Sequence, residues 1–340
     1  MYINPETKKR SDTIPPYVEA LRQAIAGHPL PFLIGRQWAH GGKVATNFEE
    51  FDSRRCQAWD LVHASAYEAL GPILADLISD LEEATQASEG FLKISMLEVL
   101  SDVYQIACAM LVKVGDHGGA WVASDRSISA ADKCGNRNLV IAGHLRMARS
   151  MLKLNDRELA RHVLIQAMDI TDDALASLDP GLISLVGSCT LLLAVIDARE
   201  QNESARDHLV IAKRLAGAQG EDLNEYGNEF GPTYVAMHEV SVEVELGNGK
   251  EAIKLSALVP KGRLSPERQA RFLIDVARAH ILTSSLVEAC LTLHEAEEIA
   301  PREVAAHYMA KEVIKDIEDR AVAGDRIADL LEVLKARING

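Results

Sequence analysis

From Asn47 onward the chain repeats apolar residues at spacings of three and four, the pattern of helices with one buried face. Phe48, Phe51, Cys56, Trp59, Leu61, Val62 and Ala66 predict one helix, and Leu70, Ile73, Leu74, Leu77, Ile78 and Leu81 a second. A long helix follows from Phe91 to Val114, stopped at Gly115-Asp116, with a partner from Gly119 to Lys133. Further segments are predicted from Leu139 to Leu154, Glu158 to about Leu178, Leu182 to Arg199 and Ala205 to Ala218. After a polar, acidic stretch from Gly220 to Glu229, Gly231-Pro232 starts a helix that stops at Gly247-Asn248. Then come Glu251 to Val259, a helix opening at Pro266 with Ser265 as N-cap, Leu286 to Ile299, and a final pair from Pro301 to Ile338. Upstream, Pro15-Pro16 opens a short helix to about Gly27, with Val18, Leu21, Ile25 and Ala26 on one face. The organisation expected is a disordered leader at 1–14, a short helix and connector at 15–45 with Trp38 as a packing anchor, and a helical-repeat domain at 46–340.

The helices are spaced as a repeat. A turn residue with a small residue four positions on recurs at Asp116/Ala120, Asp156/Ala160, Asn248/Ala252 and Ser285/Ala289; Asn202 reaches Ala205 one position early. Successive alanines lie 40, 45, 47 and 37 residues apart. A turn joining two helices, then an alanine where the second crosses the first, is what stacked helix pairs require, since each pair alone buries only one face. The fold class predicted is all-α, a right-handed α-solenoid of antiparallel helix pairs, about six or seven of them. The repeats are degenerate and tetratricopeptide-like, longer than the 34-residue standard.

Composition sharpens this picture. The 340 residues are 48% hydrophobic but only 5% aromatic, a mix that suits close helix–helix packing. The formal charge is −14, with acidic residues dispersed, which argues against direct DNA binding by this chain. The five cysteines, Cys56, Cys108, Cys134, Cys189 and Cys290, are scattered without CxxC spacing, as expected of reduced thiols in a cytoplasmic protein. The apolar run Leu182 to Ile196 is shorter than the roughly 20 residues of a membrane span and reads as a buried central helix. His144 and His162, or His280 and His294, lack convergent third and fourth ligands for zinc. Nucleophile-elbow, phosphate-loop and dinucleotide motifs are absent from the sequence, so a non-enzymatic protein without cofactor is expected.

Candidate binding residues follow from spacing. Tyr234, His238 and Ser241 stand four and three apart on the helix after Gly231-Pro232, so one face carries three polar tips able to bond a ligand, or to be satisfied by neighbouring helices. The free N–H groups at that helix start could hold an anion. Arg271, Asp275 and Arg278 share another face; they either pair among themselves or present guanidinium groups to a carboxylate or an acidic peptide end. Trp121 is a ligand platform or, more in keeping with its type, a core residue. The terminal stripe Val313, Ile317, Ile327, Leu330, Leu331 and Leu334 would cap the repeats or pair two copies as a homodimer.

Several segments in order carry a resemblance. These are Asp116-His117-Gly118, Trp121-Val122-Ala123-Ser124-Asp125-Arg126, Phe230-Gly231-Pro232-Thr233, Glu245-Leu246-Gly247, Arg271 through Ala279, and Glu295 through Pro301. Over roughly residues 55–318 the chain resembles the tetratricopeptide-like C-terminal part of actinobacterial helix-turn-helix transcriptional regulators of the xenobiotic-response-element type. The resemblance implies a sensory or protein-interaction module that takes a small-molecule or peptide effector in a concave groove; the alternative is a scaffold that docks a protein partner without sensing. The chain departs from the family in residues 1–46, too short and too rich in Pro and Gly for the DNA-binding domain. It departs again at Tyr234, where the family often carries Asn. The expectation is a stand-alone sensor or a chain lacking that domain.

Overall fold

The computed structural model describes residues 14–27, 47–64, 66–171, 179–320 and 326–339. Residues 1–13 of the expected leader (1–14) and residues 28–45 of the expected helix and connector (15–45, with Trp38) lie outside the described residues. The described chain is all-α: α1 Pro16–Ala26, α2 Phe48–His63, α3 Tyr67–Ala87, α4 Gly90–Lys113, α5 His117–Cys134, α6 Arg137–Lys153, α7 Arg157–Asp169, α8 Pro180–Arg199, α9 Ser204–Gln219, α10 Pro232–Glu245, α11 Gly249–Ser256, α12 Pro266–Leu282, α13 Leu286–Ile299, α14 Pro301–Ala306, α15 Tyr308–Arg320 and α16 Arg326–Asn339. Neighbours in sequence pack as pairs, α4 with α5, α8 with α9, α10 with α11 and α12 with α13. The contacts divide the chain after Leu139 into two compact units.

One turn recurs in both units. Gly115, Asn155, Gln201, Gly247 and Ser284 all take positive φ. In each case the next residue's N–H reaches back five positions: Asp116 to Leu111 O at 2.8 Å, Asp156 to Met151 O at 3.0 Å, Asn202 to Asp197 O at 2.9 Å, Asn248 to Glu243 O at 2.8 Å, and Ser285 to His280 O at 2.9 Å. This left-handed C-terminal cap reverses the chain within two residues and satisfies carbonyls that the helix end would leave open. Ala120, Ala160, Ala205, Ala252 and Ala289, the alanines of the repeat, are all fully buried.

The first unit packs α1, α2 and α3 around α4, with Leu21, Phe51, Leu74, Ile78, Met96, Ile106 and Met110 in its core. At Gly71 any Cβ would stand 2.5 Å from Tyr17 O, so the backbones of α1 and α3 meet there. Arg22 grips Asp116 with two bonds, 2.6 and 2.7 Å, tying α1 to the turn before α5.

The second unit holds two adjoining cores. One gathers α6, α7, α8, α9 and part of α10; the other gathers α10 through α16. α8 is buried on nearly every face, which accounts for the apolar run Leu182 to Ile196. Among the described residues two helices, α4 and α8, are long and apolar enough to cross a membrane, but 72% and 94% of their apolar windows are buried inside the fold.

Three local expectations change. α7 ends at Asp169 rather than near 178: Thr171 donates its hydroxyl to Met168 O at 2.6 Å as the helix closes, and 172–178 lie outside the described residues. Ser265 occupies the N-cap of α12, but its hydroxyl makes no capping bond. The final pair is three helices, because His307 turns extended (φ −80°, ψ 117°) between α14 and α15. The stripe Val313, Ile317, Ile327, Leu331 and Leu334 is buried in the second core, with Leu330 packed beside it, so it closes this chain's own core.

Candidate functional site

The site begins with the acidic loop. Gln219 donates to Phe230 O at 2.7 Å, and Leu223 N–H to the same carbonyl at 3.0 Å, drawing the loop ends together. Phe230 then plugs the core fully buried, its ring against Gly187 of α8. Between these anchors Tyr226 and Glu229 adopt φ of 52° and 47°, a conformation that is strained for residues with a side chain. Gly231 has no room for a Cβ, which would lie 2.4 Å from Asp222 Oδ1. That carboxylate accepts Thr233 N–H at 2.9 Å on Oδ1 and the Thr233 hydroxyl at 2.6 Å on Oδ2. The start of α10 is therefore capped from inside the chain, and the anion site expected there is taken by Asp222.

Loop and helices bring five side chains of the second unit together. Tyr234 packs against both cores. His238 lies edge-on to it, ring centroids 4.2 Å apart at 78°, and its Nδ1–H donates to Tyr234 O at 3.0 Å. On the other side Arg268 of α12 stacks over the Tyr234 ring, its guanidinium carbon 3.9 Å from the centroid, a cation–π geometry. Arg268 is tied to the loop by Asn228 O at 2.5 Å and the Glu229 carboxylate at 2.9 Å, while its Nη1 is buried with no acceptor. Arg149 of α6 reaches the same loop residue, Nη2 donating to Asn228 Oδ1 at 3.4 Å. One turn earlier, Arg146 donates to Tyr226 O at 3.2 Å. Arg271 bonds Glu303 at 2.7 Å and approaches Glu267 at 3.4 Å.

The electrostatics of this group are lopsided. Burial and the charges of Glu267 and Glu303 act in opposite directions on Arg271, and the carboxylates prevail, so its proton is held more tightly. Among the described residues Arg149 has no carboxylate partner; burial, then the charges of Arg268 and Arg271, shift its affinity for a proton downward. Burial would raise the Tyr234 hydroxyl, but Arg268, Arg149 and Arg271 together pull it below its ordinary value. Burial chiefly, then the same three cations, pushes His238 down to about 4, so its ring is neutral at physiological pH. Tyr234, His238, Arg149 and Arg271 are each half-buried and keep part of their surface open to solvent.

The other predicted residues fall elsewhere. Ser241 stands further along α10, half-buried and without a hydrogen bond among the described residues. Beyond it Glu245 accepts from Arg278 at 3.2 Å on both oxygens and from Arg199 at 3.2 Å, and Arg278 also bonds Asp275 at 2.9 Å. Asp275 and Arg278 form a closed ion-pair network, not an open grip for a ligand. Trp121, in the first unit, is 49% exposed instead of core. Spacing along α10 and α12 did not reveal Arg149, Arg268 and Asn228. The available signal was Arg146-Met147-Ala148-Arg149, two cations one turn apart in a helix otherwise apolar around them. No known protein-family model matches this chain, and no curated protein is significantly similar to it.

Proposed function

We propose that this chain is a non-enzymatic sensory or protein-interaction module whose second unit takes a small molecule or peptide at the Tyr234–His238 recess. The single observation that carries this reading is the convergence of Arg149, Arg268, Arg271, Tyr234 and His238 beside the Asn228 loop where two cores meet, each partly open to solvent. A ligand site is usually fixed by a small set of convergent polar groups of this kind. The recurring capped turn supports a right-handed α-solenoid of degenerate tetratricopeptide-like repeats, with the recess on its concave side. On that reading a ligand bridging α6, α10 and α12 shifts the pitch of the stack, provided it binds one pitch more tightly than the other. The resemblance to the effector part of actinobacterial transcriptional regulators agrees with a cytoplasmic sensor. A non-enzymatic role fits His238, whose imidazole near 4 is a poor general base at neutral pH.

Thermal-shift screening of the full chain with metabolites and short peptides tests the reading. Hits should lose their effect in Tyr234→Ala/His238→Ala. Stabilisation that survives this double substitution rejects the recess as the binding site.

A further inference from the structure

The recess differs from the rest of the second unit in its charge balance. Elsewhere in the second unit several arginines meet a carboxylate: Arg161 meets Asp197 and Glu200, Arg206 meets Glu243, Arg199 and Arg278 meet Glu245, and Arg337 meets Glu297. Within the recess Arg271 has Glu303 and Arg268 has Glu229. Arg149 has only a 3.4 Å bond to the Asn228 amide oxygen. A guanidinium carries five N–H donors, so a half-buried arginine with one long bond leaves most of its donors open to solvent or to a ligand. Beside it, Arg268 Nη1 is buried without an acceptor. Both guanidiniums are held on one residue, Arg149 on the Asn228 side-chain oxygen and Arg268 on its backbone carbonyl, so the two cations stand close to the same loop residue. A partly exposed arginine without a carboxylate keeps its charge available to an incoming anion.

We infer that Arg149, with Arg268 and the Tyr234 hydroxyl, forms an oxyanion site that binds the carboxylate or phosphate group of the effector. This rests on the reading of the recess as a ligand site and names the chemistry of its ligand. A fork of planar donors is suited to such a group, and the phenol supplies a further donor. The carboxylates of Glu229, Glu267 and Glu303 are each engaged by Arg268 or Arg271, which leaves Arg149 as the unanswered positive charge.

The test uses the full chain and three sodium salts, phosphate, succinate and chloride, at matched ionic strength, read by calorimetric titration and thermal shift. Saturable heat and a rise in melting temperature are expected with phosphate or succinate and not with chloride; whichever saturates first identifies the group. Arg149→Met should weaken that binding about thirtyfold or more. In chloride alone it should fold as stably as the parent, because it removes a charge that has no partner. Arg149→Lys keeps the charge without the fork and should fall between the two. Arg206→Met, which breaks an ion pair away from the recess, should leave binding unchanged. The inference is overturned if neither anion saturates, or if Arg149→Met binds like the parent. It is also overturned if Arg149→Met only lowers stability equally in all three salts, the behaviour of a purely structural residue. Uncharged hits that still depend on Tyr234 would then preserve the recess as a ligand site while removing its oxyanion chemistry.

Discussion

Gly187 is a sharp test of how the loop over the recess is held. An alanine there would place Cβ 2.1, 2.3 and 2.7 Å from three atoms of the Phe230 ring, where ordinary contact begins at 3.4 Å. The ring would have to withdraw by 3.4 − 2.1 = 1.3 Å. It is fully buried and its own carbonyl is held by Gln219 and Leu223, so there is no free direction for it to move. Overpacking costs about 1–3 kcal/mol, and a clash with three ring atoms belongs at the upper end. Replacing glycine by alanine inside a helix returns about 1 kcal/mol. Gly187→Ala should therefore lose about 1–2 kcal/mol net. Gly217, in α9, is exposed and has nothing within 4 Å of a Cβ. Gly217→Ala should gain about 0.5–1 kcal/mol, the ordinary result. Urea unfolding followed by helical circular dichroism measures both, with similar slopes showing that the same surface is exposed on unfolding. In a Phe230→Leu background the penalty at Gly187 should shrink, since the two side chains share one space. If Gly187→Ala is as stabilising as Gly217→Ala, then Phe230 does not anchor the loop and the account of the recess wall fails.

Three further outcomes follow from the same packing. His238 has a folded pKa of about 4 against an ordinary 6.5, so the unfolded chain binds more protons between those values; its contribution is complete above pH 6.5 and lost as pH falls towards 4. The full swing is (6.5 − 4) × 1.36, about 3 kcal/mol, with Arg149, Arg268 and Arg271 charged throughout. His238→Asn should flatten the urea-stability profile across that window, and equal slopes in both proteins would contradict the placement. Glu245→Gln strips Arg199 of its carboxylate and leaves Arg278 with Asp275 alone, so about 2–3 kcal/mol of stability should go, measured by urea titration; a change under about 0.5 kcal/mol would mean the network is solvated. Ser284 holds φ of 60° at the α12–α13 turn with an exposed side chain, so Ser284→Gly should raise stability by about 1 kcal/mol, and a loss in thermal unfolding would show that the turn is not the left-handed cap.

What could be read from the sequence was local. Gly115-Asp116 and Gly247-Asn248 announce the left-handed cap because glycine adopts positive φ without strain, and the alanine that follows lies within the same turn of chain. The turns at Gln201 and Ser284 carry no such residue, yet they fold identically, because the helices on both sides force the conformation. Tyr234 and His238 could be paired from their four-residue spacing, since it puts them on one face. The same rule selected Arg278, because spacing says which residues share a face but not what stands opposite; opposite Arg278 stands Glu245. Arg149 and Arg268 are 85 and 34 positions from Tyr234, and only the folding of α6 and α12 against the loop brings them together. The repeat nevertheless contains a rule that reaches them. Arg161 with Asp197, Arg206 with Glu243, Arg199 with Glu245 and Arg271 with Glu303 are 36, 37, 46 and 32 residues apart, about one repeat. A cation on a packed helix face thus finds its carboxylate on the next layer. Arg149 breaks that pattern: among the described residues it meets the Asn228 amide oxygen and no carboxylate, which is why an anion from outside the chain is the proposed partner.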